Sequence, residues 1–198
     1  MPEGLMQRAL TALVFIVTLA LLGGCASTRL VDSEVTSFAR WTPAPPAPGA
    51  NYRFERLPSQ QSDAQQQQLE SLAQAALAKV GLQHNPSAAT LSVQVSASTL
   101  PVLRPSWDGG YAAYPYGGPN IFIGGGLGGG MERPLYRREL SIVMRELRSN
   151  AVVYETRASS EALWQDNTPV LAAMFDAALR GFPVPPAGPR RISIEMPK

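Results

Sequence analysis

The chain has 198 residues, with 17 lysines and arginines against 15 aspartates and glutamates and a formal charge of +2. Because the two signs are interspersed, no basic stripe forms and nucleic acid is not expected as a partner. One cysteine and one histidine exclude an internal disulfide and leave any metal centre to carboxylates alone, so neither a metal nor a cofactor is expected.

Residues 1–24 read as an export signal. Arg8 precedes an apolar run from Ala9 to Leu22, interrupted only by threonines, and small residues follow at Gly23 and Gly24. The run has 14 residues, short of the roughly 20 that a membrane-crossing helix needs. A start at Met6 would keep Arg8 and the whole apolar run. Leu22-Gly23-Gly24-Cys25 resembles the lipobox of bacterial lipoproteins, with cleavage expected between Gly24 and Cys25. Acylated Cys25 would then hold the mature chain to membrane lipid. Each buried methylene adds about 0.8 kcal/mol, so several acyl chains make the attachment effectively permanent. Ala26 is not the aspartate that signals retention at an inner membrane. The expected place is therefore the periplasmic face of the outer membrane.

Ala26 to Ser33 is polar and small, and reads as a tether to a single domain spanning 34–198. Glu34 to Trp41 and Tyr52 to Leu57 have strand character, separated by a proline-rich stretch, Thr42 to Gly49, that cannot join a ladder. Ser62, with Gln65 three residues later, makes a capping-box pattern. Leu69, Leu72, Ala73, Ala76, Leu77 and Val80 then recur at helical spacing, and Gly81 supplies a stop. Gln65 to Gln68 reads as a solvated first turn. Leu91, Val93, Val95 and Ala97 alternate with Ser92, Gln94 and Ser96, the pattern of a strand with one wet face.

Asp108 to Met131 stands apart: it holds ten of the seventeen glycines and three of the six tyrosines. Gly124 to Gly130 is not a phosphate-binding loop, because Met131 and Glu132 follow where a lysine and a hydroxyl are required. Two readings stand, a low-complexity spacer and a partner-binding loop in which Trp107, Tyr111, Tyr114, Tyr116 and Phe122 dock on another molecule.

Beyond it, Leu140, Ile142 and Met144 alternate, Ser149-Asn150 makes a turn, and Val152, Tyr154 and Thr156 alternate again, which predicts a hairpin. Its glutamates and arginines suit cross-strand pairs on a wet face. Thr168 before Pro169 predicts a helix start, followed by Leu171, Met174, Phe175, Ala178 and Leu179, with Gly181 as the stop. Ile192, Ile194 and Met196 predict a last strand. The expected fold is α+β: a two-layer sandwich of a mainly antiparallel sheet with two amphipathic helices on one face.

Catalytic chemistry is thin. His84 lies in a polar connection as a surface histidine, no Gly-x-Ser-x-Gly elbow occurs, and no pair of acids is marked by spacing as acid and base. No catalytic residue is assigned.

The lipobox and several stretches resemble the bacterial DUF4136 lipoproteins, a family of unknown function. The stretches are Asn51 to Leu57, the helix to Val80-Gly81, Ala89 to Val95, the hairpin from Leu140 to Ser159, and Ala172 to Pro183. The resemblance covers most of the mature chain and implies no catalytic residue. Two functional readings follow: a non-catalytic envelope lipoprotein that binds a protein or cell-wall partner, and a hydrolase or transferase acting on envelope material. A small-ligand site between helices and sheet is a third.

Overall fold

The computed structural model describes residues 28–102 and 135–197. A mixed seven-stranded sheet is covered on one face by two helices. The strands are β1 (Thr28–Ala39), β2 (Asn51–Phe54), β3 (Gln83–His84), β4 (Leu91–Val102), β5 (Leu135–Glu146), β6 (Val152–Ala162) and β7 (Arg190–Pro197), in the spatial order β3-β2-β4-β5-β6-β1-β7. The pairs β4–β5, β5–β6 and β6–β1 are antiparallel, and β2 runs parallel to both β3 and β4. The helices are α1 (Ala64–Lys79) and α2 (Asn167–Ala178). The described residues fall into a main unit, Val31–Ile194, and a small one that takes in residues 28–30 and 195–197. No helix among the described residues is long and apolar enough to cross a membrane.

Period-two alternation sorts each strand into a covered and an open face. Val35, Ala158, Leu140, Ile142, Met144, Val93 and Val95 lie on the covered side and are all at most 2% exposed. Over them pack Ala73, Ala76 and Leu77 of α1 and Val170, Met174, Phe175 and Ala178 of α2, likewise buried. The helices run in the same direction: Gln68 Nε2 donates to Thr168 Oγ1 (3.0 Å) near their starts, and Lys79 pairs with Asp176 (2.7 Å) near their ends.

Several boundaries differ from the sequence expectation, each for a physical reason. The stretch expected as a tether from Ala26 to Ser33 enters β1 at Thr28. Val31, Ser33, Val35 and Ser37 are all buried, so small serines that resemble a linker fill inward positions of a strand. Asp63, not Ser62, caps α1: its Oδ1 accepts from the Gln65 N–H at 2.8 Å, and a carboxylate gains more than a hydroxyl at the positive end of a helix. The far end closes as expected at Gly81 (φ +86), with Leu82 N–H donating to Leu77 O and Gly81 N–H to Ala78 O, a Schellman arrangement.

Gln66 departs from the solvated turn; it is buried and donates to Glu70 and to Val95 O, both at 3.3 Å. At α2 the cap is Asp166, two residues before the expected Thr168, so Pro169 falls within the first turn. Proline is tolerated there because N–H groups of that turn have no helical acceptor. Ser159 and Ser160 lie inside β6.

At the two ends of α2, buried polar side chains on the covered side are hydrogen-bonded to backbone carbonyls or to one another. Arg138, fully buried, donates through Nε to Asn167 Oδ1 (2.9 Å) and through Nη2 to Trp164 O (2.5 Å), fixing the β6–α2 connection. Desolvation holds its pKa below the ordinary arginine value, with the nearby Tyr136 and Asp166 opposing that shift. At the other end of α2, Thr156 donates to Ala178 O (3.0 Å), Ser37 and Thr156 share a hydrogen bond (2.8 Å), and Arg190 reaches both Ser37 Oγ and Arg180 O (3.0 Å each). Trp41, Tyr154 and Phe182 stack beside this end with ring centroids 5.1–6.0 Å apart.

Candidate functional site

The face of the sheet opposite the helices carries the candidate site. Its outward positions line up in rows because register is fixed across four strands. One row runs Glu34, Ser159, Glu139, Ser98 across β1, β6, β5 and β4; the next runs Thr36, Arg157, Ser141, Ser96. Adjacent strands are about 4.8 Å apart, so the rows form a floor of short hydroxyl side chains with Glu34 and Glu139 on either side of Ser159. Arg157 stands diagonal to both carboxylates, within about 7–8 Å by ordinary sheet geometry, and its Nη2 lies 3.1 Å from Glu155.

Two adjoining grooves follow from this pattern. One, of about 600 Å³, is lined by both rows. The other, of about 530 Å³, shares Glu34, Glu139 and Ser159 and continues to Arg137, Glu161 and Arg191. The grooves exist because serines leave room that larger outward residues would fill. At the border Arg137 and Glu161 form the expected cross-strand pair, 2.6 Å apart.

Among the described residues, the side chains of Glu34, Glu139, Ser96, Ser98, Ser141 and Ser159 make no hydrogen bond or ion pair within the chain. A second groove system, about 480 Å³ at the N-terminal ends of the helices, is different. There Gln66 binds Val95 O, Gln68 binds Thr168 and Asp63 caps α1, so much of the lining is committed to the fold. A ligand there would have to replace bonds that hold α1 and α2 in place.

His84 sits far from the open-face grooves, on the edge strand β3. It is exposed and packs its ring against Tyr52 and Phe54, with both centroids 5.3 Å away. The Tyr52 hydroxyl beneath is buried without a hydrogen-bond partner among the described residues, and burial, reinforced by the charge of Glu70, pushes its pKa up to about 12. Glu70 itself is held by Arg56 through two contacts of 2.6 Å. Among the described residues, no group of three histidine, cysteine or acidic side chains is placed to hold a metal ion.

Gly24 and Cys25, and the aromatic positions Trp107, Tyr111, Tyr114, Tyr116 and Phe122, lie outside the described residues. The structure adds Glu34, Thr36, Ser96, Ser98, Glu139, Ser141, Arg157 and Ser159, which sequence reading did not bring together. Each occupies an outward position of an alternating strand, so the signal was present, but the strand order that aligns them was not.

No curated protein matches the sequence. Among solved structures, a PDZ domain protein from Parabacteroides distasonis aligns at a TM-score of 0.51 and 10% identity, over 88% of this chain and 41% of that one. A PelC dodecamer from Paraburkholderia phytofirmans aligns at 0.49 and 9% identity, over 78% of this chain and 99% of that one. At such identity the likeness to the first concerns the fold alone. Residues 34–184 match DUF4136, a domain of unknown function, and the chain belongs to that family.

Proposed function

We propose that the mature protein is a non-catalytic binding module of the cell envelope, anchored by acylated Cys25 and facing the periplasm, with the open face of its sheet as the recognition surface. The observation that carries this reading is the open face itself: two grooves floored by serines, bordered by charges of both signs, with hydrogen-bonding groups not used by the fold. Such a face suits a hydrophilic partner that lies flat, an envelope protein or a cell-wall component. Short side chains allow close approach, while the glutamates and Arg157 set orientation by charge. The anchor rests on the lipobox Leu22 to Cys25 and the apolar run before it. The aromatic residues between Trp107 and Phe122 are joined in sequence to β4 and β5, two of the floor strands, and are proposed to add contact area to the same partner.

One observation favours the hydrolase or transferase reading: Glu34 and Glu139 line a common groove. Two-carboxylate catalysis requires environments that push the two groups apart in acidity, with the acid held in a drier pocket. Both glutamates are exposed, and His84 belongs to a different edge of the sheet. Binding is the reading we adopt.

The test joins anchoring and recognition. Cells fed labelled palmitate should label the wild-type chain in the membrane fraction and leave Cys25→Ala unlabelled. A photoreactive residue at Tyr114 should give a discrete product in the wild type that is lost with Cys25→Ala. Palmitate label on Cys25→Ala would remove the anchor, and the absence of any discrete product would remove the loop from the recognition surface.

A further inference from the structure

The two ends of the sheet are unequal. At one end β3 has only two residues, a short edge of the kind that resists pairing. At the other, β7 runs for eight residues with no strand beyond it among the described residues, and its one proline is its last residue. An edge of that length presents a row of unpaired N–H and C=O groups, and proteins guard such edges with prolines, bulges or inward charges. The inward charge Arg190 lies at the first residue of β7, bonded to Ser37 and Arg180 O; at the centre Ile192 is buried and Ile194 half-buried, while Arg191, Ser193 and Glu195 are exposed.

The sequence around Ser193 is symmetric in size and opposite in charge: Arg191, Ile192, Ser193, Ile194, Glu195. An antiparallel pair formed with its twofold axis at Ser193 puts Arg191 of each copy opposite Glu195 of the other, and Ile192 opposite Ile194. Both charged side chains are exposed and make no ion pair among the described residues. Antiparallel pairing centred on Arg191, or parallel pairing in register, brings Arg191 against its own copy. Like charges directly opposite are destabilising, so charge selects one register. We infer that β7 is a homodimerisation edge, joining two copies of this chain antiparallel about Ser193 into one continuous sheet.

The contact is isologous and closes on two copies, leaving no free β7 edge to propagate, only the two-residue β3 edge at each outer end. Its twofold axis stands perpendicular to the sheet, so the open faces of the two copies fall on the same side. Arg191 lines the outer groove of about 530 Å³, so the two grooved faces would meet at the dimer axis.

The experiment uses the full chain purified in detergent. Residues opposite each other in an antiparallel pair have Cα atoms about 4.5–5.5 Å apart, within the span of a disulfide. Ser193→Cys in a Cys25→Ala background should therefore oxidise to a covalent dimer, whereas Gln74→Cys, exposed on the outer side of α1, should not. Sedimentation equilibrium should show a dimer for the wild type. Arg191→Glu and Glu195→Arg should each weaken it by roughly tenfold or more, and the two changes together should restore it. Circular dichroism and the denaturant midpoint confirm that each variant is folded; the disulfide result decides if a reversal unfolds. A monomeric wild type with no trapping at Ser193→Cys would overturn the inference. So would a double reversal that stays monomeric while folded, or an assembly larger than two that the single reversals leave unchanged.

Discussion

One sheet presents two faces, and they treat polar groups in opposite ways. On the covered face Ser37, Thr156, Arg138 and Arg190 are tied to backbone carbonyls or to one another. On the open face the side chains of Ser96, Ser98, Ser141 and Ser159 have no hydrogen-bond or ion-pair partner among the described residues, and neither do those of Glu34 and Glu139. The same residue types therefore do different work according to which way the pleat points them. The Ser37 and Thr156 hydroxyls avoid the cost of burial without a bond, while Ser33 and Tyr52 are exceptions whose buried hydroxyls have no partner among the described residues; outward hydroxyls leave bonding capacity available to a ligand. Stability should depend on the first face and recognition on the second.

The largest effect expected on the covered face comes from Phe175→Ala. Its ring is fully buried between α2 and the sheet, and removing it should lower the unfolding free energy by about 3–5 kcal/mol in urea titration. Arg138→Met comes next. It keeps much of the side-chain volume but leaves Asn167 and Trp164 O without their donor, for a loss of about 2 kcal/mol.

A pH effect sharpens the same point. Tyr52 is pushed up to about 12 from the ordinary 10.0, so above pH 10 the unfolded chain releases this proton while the folded chain retains it. Stability from this residue is present below pH 10 and is lost as pH rises toward 12. Urea titrations across that range should show the decline, and Tyr52→Phe should reduce it. On the open face Glu139→Gln and Ser98→Ala should change the unfolding free energy by no more than about 0.5 kcal/mol. A larger loss from either would break the division of labour between the faces.

Much of the fold was legible because alternation and helical spacing are local. Leu91 to Val95, the β5–β6 hairpin and the Leu69 to Val80 stripe all announce their inward sides. Apart from the two helix caps, the misses at Ser33 and Gln66 share a cause: polar residues placed inward by tertiary packing. Ser33 reads as tether and Gln66 as solvated turn until β1 is seen beside β6 and Gln66 against Val95 within β4. The open-face site was less legible. Glu34 and Glu139 are 105 positions apart and meet only because β6 pairs with both of their strands, and no spacing rule within a single strand reports that.

The most direct test of the central claim compares the two sides of the molecule in living cells. A photoreactive residue would be placed at Ser98 on the open face and, separately, at Gln74 on the outer surface of α1. The account predicts a discrete cross-linked product from Ser98, reduced by Glu139→Gln, and none from Gln74. Equal products from both positions, or a product from Gln74 alone, would contradict the assignment of recognition to the open sheet face.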